Sequence, residues 1–249
     1  NIILIMDTNK LVEVYNDSLF LKKSENQQLI IVEGDRPVSD RYLIKGYFLI
    51  KDFKYETLIK LGSLNLEGLC YKHNLESKER QKELTKLLNK NDLDIICFQE
   101  LSLKSDENNG WSNRKKNIEI LQNNLPNFNL LGDDYTSKIA YDKYSWKLLE
   151  VLDIPRMGIE KKKSNAYKLE SFKNGVKIIF VNIHLKAWAF NSYRISELEY
   201  IFNQVKAFSL NFTIPVFLVG DFNDDLKNIE YIIKGFKKLI NININIKII

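Results

Sequence analysis

The chain has 249 residues, 45% hydrophobic and 12% aromatic, which is ample for a packed core in one large α/β domain or one domain plus an appendage. Its net charge of +5, pI of about 8.9 and mean hydropathy of −0.27 fit a soluble protein. No apolar stretch reaches the length of a membrane span and the N-terminus lacks the basic-then-apolar order of a signal peptide, so membrane insertion and signal-led export are not expected.

The two cysteines, Cys70 and Cys97, have no metal-ligand spacing and sit in or beside apolar runs, which reads as reduced core thiols of an intracellular protein, cytoplasmic or nuclear. The basic clusters Arg114-Lys115-Lys116 and Lys161-Lys162-Lys163 read as solvated loops, with a polyanion-facing surface as the alternative.

In chain order, residues 1 to 57 form a β-rich N-terminal extension, with short strands at 2–6, 11–15, 28–32 and 42–50 separated by turn residues. Arg36-Pro37 and Arg41 fall in what reads as a surface turn. From residue 58 to 249 the pattern is more regular. A strand at 58–66 is followed by a helix over 77–89, a buried strand at 93–99 and an amphipathic helix over 113–124 closed by Pro126. Strands follow at 128–131, 138–141, 147–152, 166–172 and 176–185. A helix over 192–208 carries Ile195, Leu198, Ile201, Phe202 and Val205 on one stripe. The apolar strand 216–219 and a helix over 226–239 complete the regular part, and an alternating Asn-Ile tail ends the chain. Alternation, then a β-rich middle, then alternation predicts two sheets packed face to face with helices outside, an α/β sandwich.

Polar residues collect where the apolar runs stop: Asn65, Glu100, His184, Asp221 and Asn223. Each has a structural reading of its own: a turn for Asn65, Asp221 and Asn223, a helix cap or surface acid for Glu100, a satisfied structural histidine for His184. Five such residues at the ends of buried strands also suit a shared site. A carboxylate and an amide two residues apart, Asp221 and Asn223, point to one side by strand alternation and match a hard cation and a phosphate oxygen.

Four pieces carry a resemblance: Ser63-Leu64-Asn65-Leu66-Glu67-Gly68, Asp94 to Glu100, Val181-Asn182-Ile183-His184-Leu185-Lys186-Ala187, and Gly220-Asp221-Phe222-Asn223. Their order and spacing resemble the endonuclease/exonuclease/phosphatase (deoxyribonuclease-I-like) superfamily. His184-Leu185-Lys186-Ala187 with Arg194, and Gly68-Leu69-Cys70, are similar to its deadenylase and nocturnin branch. The resemblance implies a hydrolase that cleaves phosphodiesters by direct attack of an activated water. It implies that Glu100 and Asn65 hold Mg²⁺, with Mn²⁺ an acceptable substitute, and that His184, Asp221 and Asn223 are catalytic. Arg194 and Lys186 are then expected to bind substrate, RNA or DNA first, a phosphoinositide or sphingomyelin-type ester as the alternative.

The pattern is incomplete. Members of the superfamily finish with a further Asp and an Asp-His pair, yet no aspartate follows Asp225 here and the other histidine is His73. A C-terminally truncated domain is therefore expected, either a shortened active enzyme or a phosphate-binding protein with impaired catalysis.

Overall fold

The structure, a computed structural model, describes residues 2–7, 12–14, 31–32, 36–37, 44–51, 56–66, 85–86, 88, 92–101, 118–119, 121–132, 137–155, 163–186, 191–224, 226–239 and 245–248. The first sheet has the order β10-β11-β12-β13-β1-β14: Trp146–Pro155, Lys163–Ser171, Lys177–His184, Val216–Asp221, Ile2–Asp7 and Asn245–Ile248. The second has the order β2-β5-β6-β7-β9-β8: Val12–Val14, Ile44–Lys51, Glu56–Asn65, Ile95–Gln99, Lys138–Asp142 and Phe128–Leu131. A two-residue ribbon pairs β3 (Ile31–Val32) with β4 (Arg36–Pro37). Pairs β6–β7 and β12–β13 are parallel and the other neighbours antiparallel, so both sheets are mixed.

The two-sheet α/β sandwich expected from the sequence is therefore the observed fold. Of the strands before residue 57, β1 joins the first sheet and β2 and β5 the second. β1 lies antiparallel to β13, with Ile2 opposite Gly220, and β5 lies antiparallel to β6, with Ile44 opposite Ser63. The Asn-Ile tail supplies β14, which pairs with β1 at the sheet edge. Arg36 and Pro37, expected in a turn, sit in β4.

Strand alternation sorts the core. Phe217 and Val219 of β13, Ile178 and Phe180 of β12, and Ile59, Leu61, Ile95 and Cys97 of the facing sheet meet between the sheets. Phe180 stacks on Phe217 at 4.9 Å and Phe48 meets the same ring edge-on at 5.3 Å. The alternate residues Val216, Leu218, Ile179, Val181 and Ile183 face outward under helix α1 (Asn191–Phe208) and helix α2 (Leu226–Leu239). The buried stripe of α1, Leu198, Ile201, Phe202 and Val205, is the one its 3.6-residue spacing predicts. Leu64, Leu66, Ile96 and Phe98 cover the far face of the second sheet beside Leu88 and Leu121, on the described parts of the two earlier helices, and Leu125 just after the second. Burial on both faces explains why these strands read as continuous apolar runs. Cys97 is a free thiol in the central layer, and burial pushes its pKa up. Among the described residues no helix is long and apolar enough to cross a membrane. Cys70, His73 and Arg41 lie outside the described residues.

Toward one end of the sandwich the central layer turns polar. Gln99 Nε2 donates to Asn182 Oδ1 at 2.8 Å, and Asn182 Nδ2 donates to the carbonyls of Phe98 and Lys138 at 2.8 and 2.9 Å. This bridge ties β12 to β7 and β9 and fixes how the sheets slide past each other. Asn182→Leu removes these three bonds from a dry interior, although Gln99 Nε2 keeps the Cys97 carbonyl at 3.2 Å; a buried polar group left unpaired costs about 1–3 kcal/mol. A loss of about 3 kcal/mol in urea unfolding is expected on that scale, and a loss under about 0.5 kcal/mol would show that water already serves these groups.

Candidate active site

One residue beyond this polar bridge, the inward rows of both sheets end in the chemically useful side chains. Ile59, Leu61, Ser63 and Asn65 form the inward row of β6; Ile178, Phe180, Asn182 and His184 that of β12; Phe217, Val219 and Asp221 that of β13. The parallel register sets His184 opposite Asp221 and Asn65 opposite Gln99. Alternation alone would send Glu100 outward after Gln99. Its φ of +51° instead turns the chain after β7 and brings the carboxylate back to the mouth of the sandwich. A non-glycine residue in this region is disfavoured, so the surrounding bonds must hold it there.

Those bonds are short. Asn65 Nδ2 donates to Glu100 Oε1 at 3.0 Å and to Asp221 Oδ2 at 2.9 Å. His184 Nε2 lies 3.3 Å from Glu100 Oε1, while its Nδ1 is buried with no hydrogen-bond partner among the described residues. One ligand atom from each of Glu100, His184 and Asp221 lies within 4.8 Å of the other two.

The strand ends at Asp221, so the expected alternation does not carry through to Asn223. Asn223 adopts φ +49°, its backbone N–H returns to Asp221 Oδ1 at 2.9 Å, and its side-chain Nδ2 donates to the Leu185 carbonyl at 2.7 Å. Asn223 thus clamps the loop after β12 to the loop after β13, and reaches the site through Asp221 rather than along a strand face.

Both carboxyls are held in the charged form. For Glu100 the His184 contact is the largest influence; with the Asn65 bond it outweighs burial, and the pKa falls below the ordinary value. For Asp221 burial is the largest influence and opposes ionisation, but the Asn223 and Asn65 hydrogen bonds prevail and its pKa is also lowered. A depressed folded-state pKa contributes stability that is present above the unfolded value, roughly 4 for carboxyls, and is lost as pH falls through the folded one. The metal-free chain is therefore expected to lose stability on acidification below about pH 4, with a shallower slope for Glu100→Gln. Matching pH–stability curves for the two proteins would contradict this.

Arg194 and Lys186 stand differently. Arg194 is buried and its Nε donates to Asp224 Oδ2 at 3.0 Å, while Asp224 Oδ1 accepts from Asn228 Nδ2 at 2.8 Å. This network joins α1, the loop after β13 and α2 behind the site. Lys186 is exposed, with its Nζ 5.4 Å above the Tyr193 ring. Gln99, Asn182 and Asp224 were not among the residues expected at the site. A glutamine and an asparagine inside apolar strand runs were the available signal, since a buried amide needs partners.

The donor set suits a hard divalent cation: two ionised carboxylates and one imidazole, with the Asn65 amide bonded to both carboxylates. A two-sheet sandwich with this cluster at the ends of its inner strands is the arrangement that the sequence resemblance implies.

Comparison with known proteins agrees. The model of the Endonuclease/Exonuclease/phosphatase family matches residues 62–234, and the chain belongs to that family. No curated protein matches the sequence. Among solved structures, D. rerio TDP2 in complex with a single-strand DNA product is similar, with TM-score 0.54 and 18% identity over 70% of this chain and 64% of that one. A mannosyl-6-phosphatase of Bacteroides thetaiotaomicron gives TM-score 0.56 and 17% identity over 71% and 70%. The human nocturnin catalytic domain with bound sulfate gives 0.52 and 16% over 72% and 69%. This chain thus spans just under two thirds of the zebrafish chain it resembles.

Proposed function

We propose that the chain is a divalent-metal-dependent phosphodiesterase of nuclease type, acting on RNA or DNA. The observation that carries this reading is the joining of Glu100, His184 and Asp221 within 4.8 Å, cross-linked by Asn65, at the open end of the sandwich. Glu100 and Asn65 would hold Mg²⁺ or Mn²⁺, with Asp221 and His184 in reach of the same ion. A bound cation of this kind withdraws charge from the phosphoryl and leaving oxygens.

The rest falls to the side chains. Asp221, kept ionised, accepts a hydrogen bond from the attacking water and aligns it with phosphorus. Asn223 has given one amide hydrogen to Leu185 and keeps the second for a phosphate oxygen. His184 Nε2, which meets Glu100 in this structure, is the atom that turns to a phosphate oxygen once the carboxylate is engaged elsewhere. Lys186 stands exposed at the rim, where a polyanion would pass. The net charge of +5 favours a polyanion such as a nucleic acid over a small ester.

The test is hydrolysis of poly(A), single-stranded DNA, bis-nitrophenyl phosphate and nitrophenyl phosphate, with and without Mg²⁺. Metal-dependent cleavage of the diesters is expected. Cleavage of the monoester alone would make the chain a phosphatase, and no turnover by a folded, metal-binding chain would make it a phosphate-binding protein.

A further inference from the structure

A cavity of about 410 Å³ opens at the opposite end of the sandwich, between the start of β6 and the turns β9–β10 and β11–β12. β6 runs from Thr57 at this cavity to Asn65 at the active site, and eight residues of strand separate the two by roughly 26 Å. Trp146, Ser171 and Thr57 are buried and form its floor, whereas Tyr144 and Phe172 are 69% and 60% exposed and stand at its rim. The two turns are locked together, Phe172 N–H donating to the Ser145 carbonyl at 3.0 Å. Asp94 lies in the wall, one carboxyl oxygen accepting the Lys60 backbone N–H at 2.8 Å, and Glu56 and Lys173 complete the lining. With Asp94 ionised, two carboxylates and one ammonium leave the lining with an excess negative charge.

We propose that this cavity binds a guanidinium cation. Two exposed aromatic rings beside a carboxylate in a cavity of ligand size are the features such an ion uses: stacking on ring faces and a forked hydrogen bond to an acid. A cation already lies over one of these rings, Lys143 Nζ being 5.2 Å from the centre of Tyr144.

Burial raises the Asp94 pKa to about 6, against the Lys60 backbone N–H and the Lys60 ammonium, and with Asp92 and Asp142 adding to the rise. Glu56 and Lys173 are the other charged groups facing the cavity. The cation meets the ionised acid, so affinity is full above about pH 6 and falls about tenfold per pH unit below it, as protons compete.

Calorimetric titration of the full chain at neutral pH, with methylguanidinium in one arm and N-acetyl-arginine amide in the other, tests this. Saturable binding in either arm is expected, at least tenfold weaker in Asp94→Asn, which keeps an acceptor for the Lys60 N–H. Stronger binding in the second arm would assign the site to an arginine side chain, equal binding to a small free cation. Tyr144→Ser and Phe172→Ser, at exposed positions, decide the matter if Asp94→Asn does not fold. No saturable binding, or binding indifferent to these variants, overturns the proposal. Phosphoesterase activity is expected to be unchanged in all three variants, so this result stands apart from the outcome at the Glu100 site.

Discussion

Glu100→Gln is expected to lower metal-dependent phosphodiester hydrolysis by about 10²–10³-fold, the usual cost of deleting one fixed group that meets transition-state charge. The substitution changes shape very little, which makes it informative. Glutamine keeps an oxygen that can accept from Asn65 and from His184, so the links that hold the φ +51° turn survive. What disappears is the charge, and with it the strongest donor to a hard cation. Isothermal titration with Mg²⁺ or Mn²⁺ should show a large loss of affinity while thermal unfolding of the metal-free chain at neutral pH moves little. If hydrolysis falls but metal affinity does not, Asp221 with His184 is the principal cation site and Glu100 serves to orient His184. Activity within a few-fold of the parent would remove Glu100 from the mechanism.

Much of this site is legible in the order of the amino acids because each member sits where a buried strand runs out, and buried strands announce themselves as apolar runs. Asn65, Glu100, His184 and Asp221 converge for that reason: two parallel pairs, β6–β7 and β12–β13, end at the same mouth. What could not be read is non-local. The placing of β1 beside β13 sets Met6 opposite Val216, and that of β14 beside β1 sets Asp7 opposite Asn245, each joining opposite ends of the chain. Short alternating strands carry no label naming their partner, so the places of β1, β2 and β5 in the two large sheets are not legible in residues 1 to 57. The helical pattern put Arg194 near the start of α1, but its acid, Asp224, comes from a different loop. Alternation misjudged Asn223 because the strand stops at Asp221: its carboxylate accepts the Asn223 N–H two residues on, a local turn, and the Leu185 carbonyl takes the Asn223 side chain from outside the segment.

Gly220→Ala should be strongly destabilising. Gly220 lies in β13 between Val219 and Asp221, with φ of +146°, where a side chain is strained before any neighbour is considered. Its neighbours make matters worse: a Cβ there would overlap the Ile183 carbonyl oxygen and come within 2.9 Å of the carbonyl carbon. These are backbone atoms of the adjoining strand, so no side chain can swing away. Ile183 and Gly220 are register partners in the β12–β13 pair, one step before His184 and Asp221. Relief of the clash must therefore part the strands where those two side chains are brought together. Strain and overpacking each cost about 1–3 kcal/mol, so a destabilisation above about 3 kcal/mol is expected, or a fall of at least about 6 °C in Tm for a chain of this size. Hydrolysis should drop with it, and should not recover at low temperature where the variant remains folded, because the His184–Asp221 spacing itself has changed. Gly175→Ala is the control: φ is +72° but nothing lies within 4 Å of the added carbon, so only conformational strain of about 1–2 kcal/mol applies. A Gly220→Ala protein no less stable than Gly175→Ala would mean that the close approach of β12 to β13 is not what holds the His184 and Asp221 side chains at their distance.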